Sequence, residues 1–260
     1  MIRLRGGSGL GDALYLRPIV ELLDREGRPV TVCSSYPEVF TGTNAKTELF
    51  NRTNITMTAH YPSGKNNPNT NQWQDILNSA QIGCDLAFNW ATVDQAKVDK
   101  VRWRADGRPI VLVIGGRQPM ARHDGFGKEL LPQKRAFDVV LEEMQDCFTI
   151  RIGQTPTLYE LDCRWDLTDK TSVPYLMDLA KECDAVIGQC SFAVPLAEGF
   201  DKPLLAVWAA AGMLASHDYL KKITPQTQSG SDAPRISAPT IASFPRGSLT
   251  TAERNVSNSS

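Results

Sequence analysis

The sequence predicts an α/β protein built from two Rossmann-like units, each a parallel sheet covered by helices. Apolar strand-like runs alternate with amphipathic, helix-like segments along most of the chain, which is typical of such sheets. The continuous apolar run Ile110–Ile114 restarts that pattern, as expected for a strand buried on both faces. We therefore expect a first domain over 1–104, a second over 108–223 and a Ser/Thr/Pro-rich tail over 224–260. The carboxyl ends of both sheets are expected to face a central cleft.

The first unit opens with a short apolar strand at 1–4. A helix is expected over 13–25, because apolar residues recur there at helical spacing. The segment 62–71 is rich in Asn, Gly and Pro and is expected to form a surface loop. The other elements predicted in this unit are strands at 30–33, 55–59 and 85–90 and a helix at 72–80.

The second unit repeats the alternation of strand and helix. After Ile110–Ile114, strands are predicted at 148–152, 185–187 and 204–208, and helices at 135–146, 173–181 and 193–199. From about Thr224 few large apolar residues remain, which indicates a tail with little packed structure. The five tryptophans are expected to pack in the core or between the two units, since burial is the common use of this side chain.

A glycine-rich loop, Gly6-Gly7-Ser8-Gly9-Leu10-Gly11-Asp12, separates the first strand from the first helix. This arrangement presents backbone N–H groups and a helix N-terminus to an anion, although glycines also serve tight turns. Asp12 is stabilised as an anion at the start of a helix, where it acts either as a cap or as a base. The spacing departs from the G-x-G-x-x-G fingerprint, and the second strand ends in Ser34-Ser35 instead of an acidic residue, which argues against NAD.

The composition excludes several classes of protein. The chain has 260 residues, 42% of them hydrophobic, and a formal net charge of −1, so its total charge attracts neither nucleic acid nor an anionic membrane. No apolar run approaches the ~18 residues of a membrane span, and the glycine loop interrupts any signal-peptide core, so a cytoplasmic location is expected. The six cysteines include no C-x-x-C pair, which predicts neither disulfides nor a metal site; no cofactor is expected.

Two segments, one in each half of the chain, carry a family resemblance. The first is Gly-Ser-Gly-Leu-Gly-Asp-Ala-Leu-Tyr-Leu-Arg-Pro-Ile, beginning at Gly7, followed by a helix and the strand Pro-Val-Thr-Val-Cys. The second runs through 171–180 and 183–188 and continues over 195–203. In this order they resemble the N-terminal signature and the donor-binding segment of the heptosyltransferase-like glycosyltransferases, glycosyltransferase family 9. The resemblance implies the GT-B fold of that superfamily.

The resemblance also implies roles for residues on the acceptor side. Asp12 falls at the position of the family's proposed general base, which takes the proton from the acceptor hydroxyl as that oxygen attacks the anomeric carbon. The loop residues Gly7, Ser8, Gly9 and Gly11 would let the acceptor approach the backbone.

On the donor side, Lys128 is the nearest match to a family lysine that contacts the diphosphate, and Arg117 is a further cation. Where the family has Asp-Ser/Thr-Gly and then His, this chain has Cys190-Ser191-Phe192 and Pro195. The helix near Ala193 would still offer N–H groups to a phosphate. The further donor-side candidates are Gln189, Cys190, Ser191, Phe192 and Glu198.

These implications lead to a glycosyltransferase that moves a sugar from a nucleoside-diphosphate sugar to an acceptor hydroxyl. No Asp-x-Asp motif is present, so a metal-independent reaction is expected, with positive charge supplied by helix N-termini and Lys or Arg. The acceptor is a saccharide, a lipid-linked glycan or a modified nucleic-acid base. Two alternatives stay open: a degenerate binding protein for a nucleotide or sugar phosphate, motivated by the departures at Cys190 and Pro195, and a Rossmann-type oxidoreductase.

Overall fold

The computed structural model describes residues 1–49, 54–60, 72–115, 137–155, 160–189 and 191–207. Within these ranges the first sheet contains the parallel strands β1 (Ile2–Arg5), β2 (Val30–Cys33), β3 (Lys46–Glu48) and β4 (Met57–Thr58). Their order in the sheet is β3-β2-β1-β4. The strand order therefore reverses between β1 and β4, as in a Rossmann fold.

Two helices and a short 3-10 turn accompany this sheet. Helix α1 (Leu10–Arg25) follows β1 directly and buries most of its length, while α2 (Gln72–Ala80) coincides with the predicted helix. The 3-10 turn Pro37–Phe40 inserts Val39 and Phe40 into the same core as α1. The apolar positions that predicted these helices by their spacing are the ones that pack against the strands.

The second sheet, within the described ranges, contains β5 (Ile110–Ile114), β6 (Phe148–Ile152), β7 (Trp165–Asp166), β8 (Ala185–Gln189) and β9 (Leu204–Val207). All pairings are parallel and the order is β7-β6-β5-β8-β9, which again reverses once, between β5 and β8. Every residue of β5 is buried, as the unbroken apolar run predicted. The expected α/β fold with two Rossmann-like sheets is confirmed.

Helices of the second unit are α4 (Val173–Glu182) and α5 (Ala193–Gly199), and residues 137–142 are also helical. Ser172 caps α4, since its hydroxyl oxygen accepts a hydrogen bond from the Tyr175 N–H at 3.4 Å. Helix α3 (Gln95–Ala105), which the sequence reading did not predict, lies between the two sheets in the chain and packs on α4.

The predicted strand at 85–90 is wrong. The alternation of Leu86, Phe88 and Trp90 that suggested a strand does bury apolar side chains, but the backbone bonds elsewhere than to a sheet. The Phe88 N–H donates to the Gly199 carbonyl at 2.7 Å, and the Asn89 N–H donates to the Glu21 carboxylate. This segment passes from the first unit to the second, and its partners come from both.

Other differences between the predictions and the structure are smaller. Helix α1 begins three residues before the expected start at 13, the strand expected at 55–59 shortens to Met57–Thr58, and β3 and β7 were not predicted. Trp90 is 4% exposed between the two units, whereas Trp103 is 78% exposed, so the expectation of burial holds for the first and is wrong for the second.

The loop expected at 62–71, residue 208 and the tail over 224–260 lie outside the described residues. No described helix has both the length and the apolar character needed to cross a lipid bilayer.

Candidate functional site

The glycine loop connects β1 to α1, and Gly9 is the N-cap of that helix. Asp12 therefore lies in the first helical turn, three positions after the cap, and the expectation that it might itself be the cap is wrong. Its Oδ2 atom accepts a hydrogen bond from the Gly9 N–H at 2.9 Å. A carboxylate at this position satisfies one free N–H at the helix start and is stabilised as an anion by the helix dipole.

The glycines of this loop make room for the Asp12 carboxylate. A Cβ atom built on Gly7 would lie 2.3 Å from the Asp12 Cγ, and one built on Gly9 would lie 3.1 Å from its Oδ2. Ser8 and Gly9 are exposed, while Gly7 and Asp12 are partly exposed. The loop thus presents a carboxylate, held by the Gly9 N–H and packed over the glycine backbone, at the surface of the first unit.

The second loop of interest joins β8 to α5. It is tightly built, because a Cβ atom at Gly188 would lie 2.7 Å from the Cβ of Ala193. The N–H of Val194, in the first turn of α5, donates to the Ser191 carbonyl at 3.2 Å, so this N–H is used within the turn. Ser191 is exposed and Phe192 is partly exposed.

These two loops meet. A Cβ atom at Gly11 would lie 3.3 Å from the Phe192 Cα, so the start of α1 contacts the backbone of the β8–α5 loop without an intervening side chain. Each loop follows a strand at the point where the strand order of its own sheet reverses, β1 in the first sheet and β8 in the second. Ligands of open α/β sheets bind at these carboxyl-end reversal points, and here the two points adjoin.

A buried cation anchors the middle of α1, five residues beyond Asp12. The guanidinium of Arg17 is 1% exposed and lies 2.6 Å, Nε to Oε1, from Glu21. It donates to the carbonyls of Val39, Thr41 (3.1 Å) and Asn89 (2.8 Å). Burial raises the pKa of Glu21, while the Asn89 N–H and Arg17 oppose that rise. Helix α1 is therefore fixed to two other parts of the fold.

Of the remaining predicted site residues, some lie in the part of the chain that the structure describes and others do not. Glu198 lies on α5, six residues after Phe192 and thus about 9 Å farther along the helix axis. The predicted donor-side residues Arg117, Lys128 and Cys190 lie outside the described residues, as does the side chain of Gln189. The expectation that they contact the donor stays a prediction.

The structure adds residues that the sequence reading did not assign to the site. Gly188 permits the close approach of β8 and α5, and Arg17, Trp90 and Asp178 connect α1 to α4. These contacts join residues that are far apart in the sequence or depend on close packing, so no sequence pattern points to them. In the described part of the chain, no group of three or more His, Cys, Asp or Glu side chains is placed to hold a metal ion.

No protein-family model and no curated protein matches the chain. Its fold is similar to that of ADP-heptose LPS heptosyltransferase II of E. coli, with 12% identity and a TM-score of 0.51 over 79% of this chain and 84% of that one. It is also similar to TibC, the iron-containing dodecameric glycosyltransferase of enterotoxigenic E. coli H10407, with 13% identity and a TM-score of 0.52 over 79% of this chain and 57% of that one. These likenesses confirm the GT-B-like α/β fold that the sequence led us to expect.

Proposed function

We propose that this protein is a glycosyltransferase that moves a sugar from a nucleoside-diphosphate sugar to an acceptor hydroxyl. The observation that carries the proposal is the contact between Gly11 and Phe192, because it places the loop that bears Asp12 next to the loop at the strand-order reversal of the second sheet. The fold likeness to two solved glycosyltransferases supports it.

Asp12 is the candidate general base. Its Oδ2 is held by the Gly9 N–H, which leaves Oδ1 without a hydrogen-bond partner among the described residues. In the proposed reaction this carboxylate accepts the proton of the acceptor hydroxyl while that oxygen bonds to the anomeric carbon. The bond from the anomeric carbon to the diphosphate breaks, and the nucleoside diphosphate leaves with that electron pair.

The donor is proposed to bind at the second loop. Gln189, Cys190, Ser191 and Phe192 would contact the donor there, and Glu198 would contact it from farther along α5. Positive charge for the leaving diphosphate would come from Arg117 and Lys128, which is why we propose transfer without a metal. For the acceptor we propose a saccharide, a lipid-linked glycan or a modified nucleic-acid base. The cytoplasmic location also remains a prediction.

The experiment is a thermal-shift screen against UDP, GDP, ADP, CMP and TDP and their sugars, followed by a turnover assay with and without EDTA. A ligand that binds only the native state raises the unfolding temperature. We expect one nucleotide to raise it and its sugar form to be consumed at the same rate in EDTA. No shift with any nucleotide would overturn the proposal, and inhibition by EDTA would overturn the metal-independent part of it.

A degenerate binding protein is the second candidate. It is favoured by one observation: Cys190 and Pro195 stand where the resembling family has an aspartate and a histidine. A nucleotide that stabilises the protein, combined with no consumption of its sugar form across acceptor classes, would establish binding without transfer.

A further inference from the structure

The segment that joins the two units, residues 88–94, is held from both sides by buried polar groups. It leaves the first unit after α2 and enters α3, which packs on α4 of the second unit. Its backbone lies in no sheet; apart from the Phe88 N–H, which donates to the Gly199 carbonyl, the contacts that hold it are made with side chains of α1 and α4. The segment contains Trp90, which is 4% exposed.

On the side of the second unit, the carboxylate of Asp178 on α4 binds this segment through hydrogen bonds. Asp178 is fully buried, and its Oδ1 accepts hydrogen bonds from the Trp90 Nε1 at 2.7 Å and the Val93 N–H at 2.9 Å. Its Oδ2 accepts from the Asp94 N–H at 2.8 Å. One turn along the same helix, the Lys181 Nζ donates to the Trp90 carbonyl at 2.9 Å. One buried carboxylate thus collects three donors from a single stretch of the connecting segment.

On the side of the first unit, α1 holds the same residues. The Arg17 guanidinium carbon lies 4.7 Å from the centre of the Trp90 ring, and Arg17 donates to the Asn89 carbonyl at 2.8 Å. The Glu21 carboxylate accepts from the Asn89 N–H at 3.0 Å. Trp90 is therefore held between a cation on α1 and a carboxylate on α4.

From this geometry we propose that Asp178 is a positioning residue that fixes the orientation of the two units through Trp90 and Arg17. Arg17 lies on the helix that carries Asp12, so the distance between Asp12 and the Phe192 loop depends on this link. The proposal of an effect on transfer rests on the proposed function, whereas the effect on orientation does not. A buried carboxylate that served only to fill space would be replaced by an apolar side chain without loss, since burying its charge is itself unfavourable.

The kinetic test uses two variants of the link and a control on the same helix. In Asp178→Asn an N–H₂ group faces the Asp94 N–H, and Trp90→Phe removes the indole donor but keeps a ring beneath Arg17. The control is Glu182→Gln, which removes the charge that pairs with Arg102 of α3 at the surface. Because small displacements of reacting groups lower rates steeply, we expect each link variant to lower kcat by about 10-fold with donor KM within about 2-fold of the wild type. Glu182→Gln should change neither value.

A folded link variant with unchanged kcat would overturn the effect on transfer. If Asp178→Asn does not fold, Trp90→Phe decides the question alone. A structural role without positioning would lower the unfolding temperature and leave kcat intact at temperatures where the variant is folded.

The orientation itself is measured without any substrate. Spin labels are attached to a ketone-bearing unnatural amino acid at positions 46 and 170, which are exposed on the first and second units, so that the six cysteines do not compete. We expect a broader or displaced distance distribution in Asp178→Asn and Trp90→Phe than in the wild type or Glu182→Gln. An unchanged distribution in both link variants overturns the proposal. A changed distribution in a protein that transfers no sugar sustains it and rejects the proposed function.

Discussion

The carboxylate of Asp12 occupies the space directly over Gly7. A Cβ atom at Gly7 would stand 2.3 Å from the Asp12 Cγ and 2.4 Å from its Oδ2, the atom that accepts the Gly9 N–H. Gly7 does not have a positive φ, so its backbone conformation admits other residues. The need for glycine at this position comes from the Asp12 side chain, and the loop is therefore built around that carboxylate.

Replacing Gly7 by alanine tests this relationship. The methyl group would force the Asp12 carboxylate to rotate away from the Gly9 N–H, so we expect Gly7→Ala to lower turnover at least ~10-fold. Loss of the hydrogen bond should lower the free energy of unfolding by about 1 kcal/mol. The matched control is Gly83→Ala, where an added Cβ would meet nothing within 4 Å. Turnover and urea denaturation measure both effects, and equal turnover in the two variants would contradict the role assigned to the loop.

Replacing Asp12 by asparagine separates its chemical role from its place in the helix. The amide oxygen can still accept the Gly9 N–H but takes up a proton far less readily, so we expect turnover to fall by ~10²-fold with the fold and donor affinity nearly intact. The control is Asp24→Asn on the same helix, where the carboxylate accepts the Asn44 backbone and side-chain N–H groups at 3.1 and 2.8 Å. Steady-state kinetics decide the matter: wild-type turnover in Asp12→Asn removes this residue from the mechanism.

Much of the fold followed from local patterns in the sequence. β5 and α2 have the predicted bounds. A continuous apolar run, as in β5, and an apolar spacing on one side of a helix, as in α2, can each be recognised within ten residues of sequence. β3, Lys-Thr-Glu at the sheet edge, carries no apolar signal because it is mostly exposed. The segment 85–90 has the period of a strand but bonds to Gly199 and Glu21, which are remote in the chain.

The site was predictable in its parts and not in its assembly. Sequence reading found the loop around Asp12 and the loop around Phe192 separately, through glycines after a strand and through a family resemblance. Their contact at Gly11 depends on how two sheets pack, which no local period encodes. The same holds for Asp178, which looks in the sequence like one charge on a helix and is in fact fully buried.

The partly buried thiol of Cys84 and the buried thiol of Cys183 provide a test of the packing in solution. Burial, aided by the Asp85 carboxylate, raises the pKa of Cys84 to about 11, and burial raises the pKa of Cys183 to about 12. Because the thiolate is the reactive form, we expect native Cys84 to be alkylated about tenfold faster per pH unit from pH 8 to pH 10, without levelling off near pH 9 as a free thiol does. Timed iodoacetamide labelling read by peptide mass spectrometry gives the rates, with the urea-unfolded chain as control. Levelling off near pH 9 in the native protein would contradict the raised pKa of Cys84.

The last prediction concerns the buried pair of Arg17 and Glu21. Burial raises the pKa of Glu21 above its ordinary value, so the native protein binds this proton more tightly than the unfolded chain does. The contribution of Glu21 to stability is thus present at low pH and is lost as the pH rises through its native pKa. Arg17 opposes that rise, and its removal should raise the pKa of Glu21 further and enlarge the loss.

We therefore expect Arg17→Met to lower the free energy of unfolding by about 3 kcal/mol at pH 8, where Glu21 is a buried charge without its cation. At pH 5 the raised pKa lets this carboxyl take up a proton more readily than at pH 8, so the loss should be smaller there. Arg28→Met is the matched control, since Arg28 pairs with Glu26 at 3.2 Å and both side chains are nearly half exposed. Exposed pairs contribute little, so its effect should stay within about 0.5 kcal/mol at both pH values. Urea denaturation of the three proteins at pH 5 and pH 8 measures these differences. A loss in Arg17→Met that is equal at both pH values would mean that Glu21 does not depend on Arg17 for its charge.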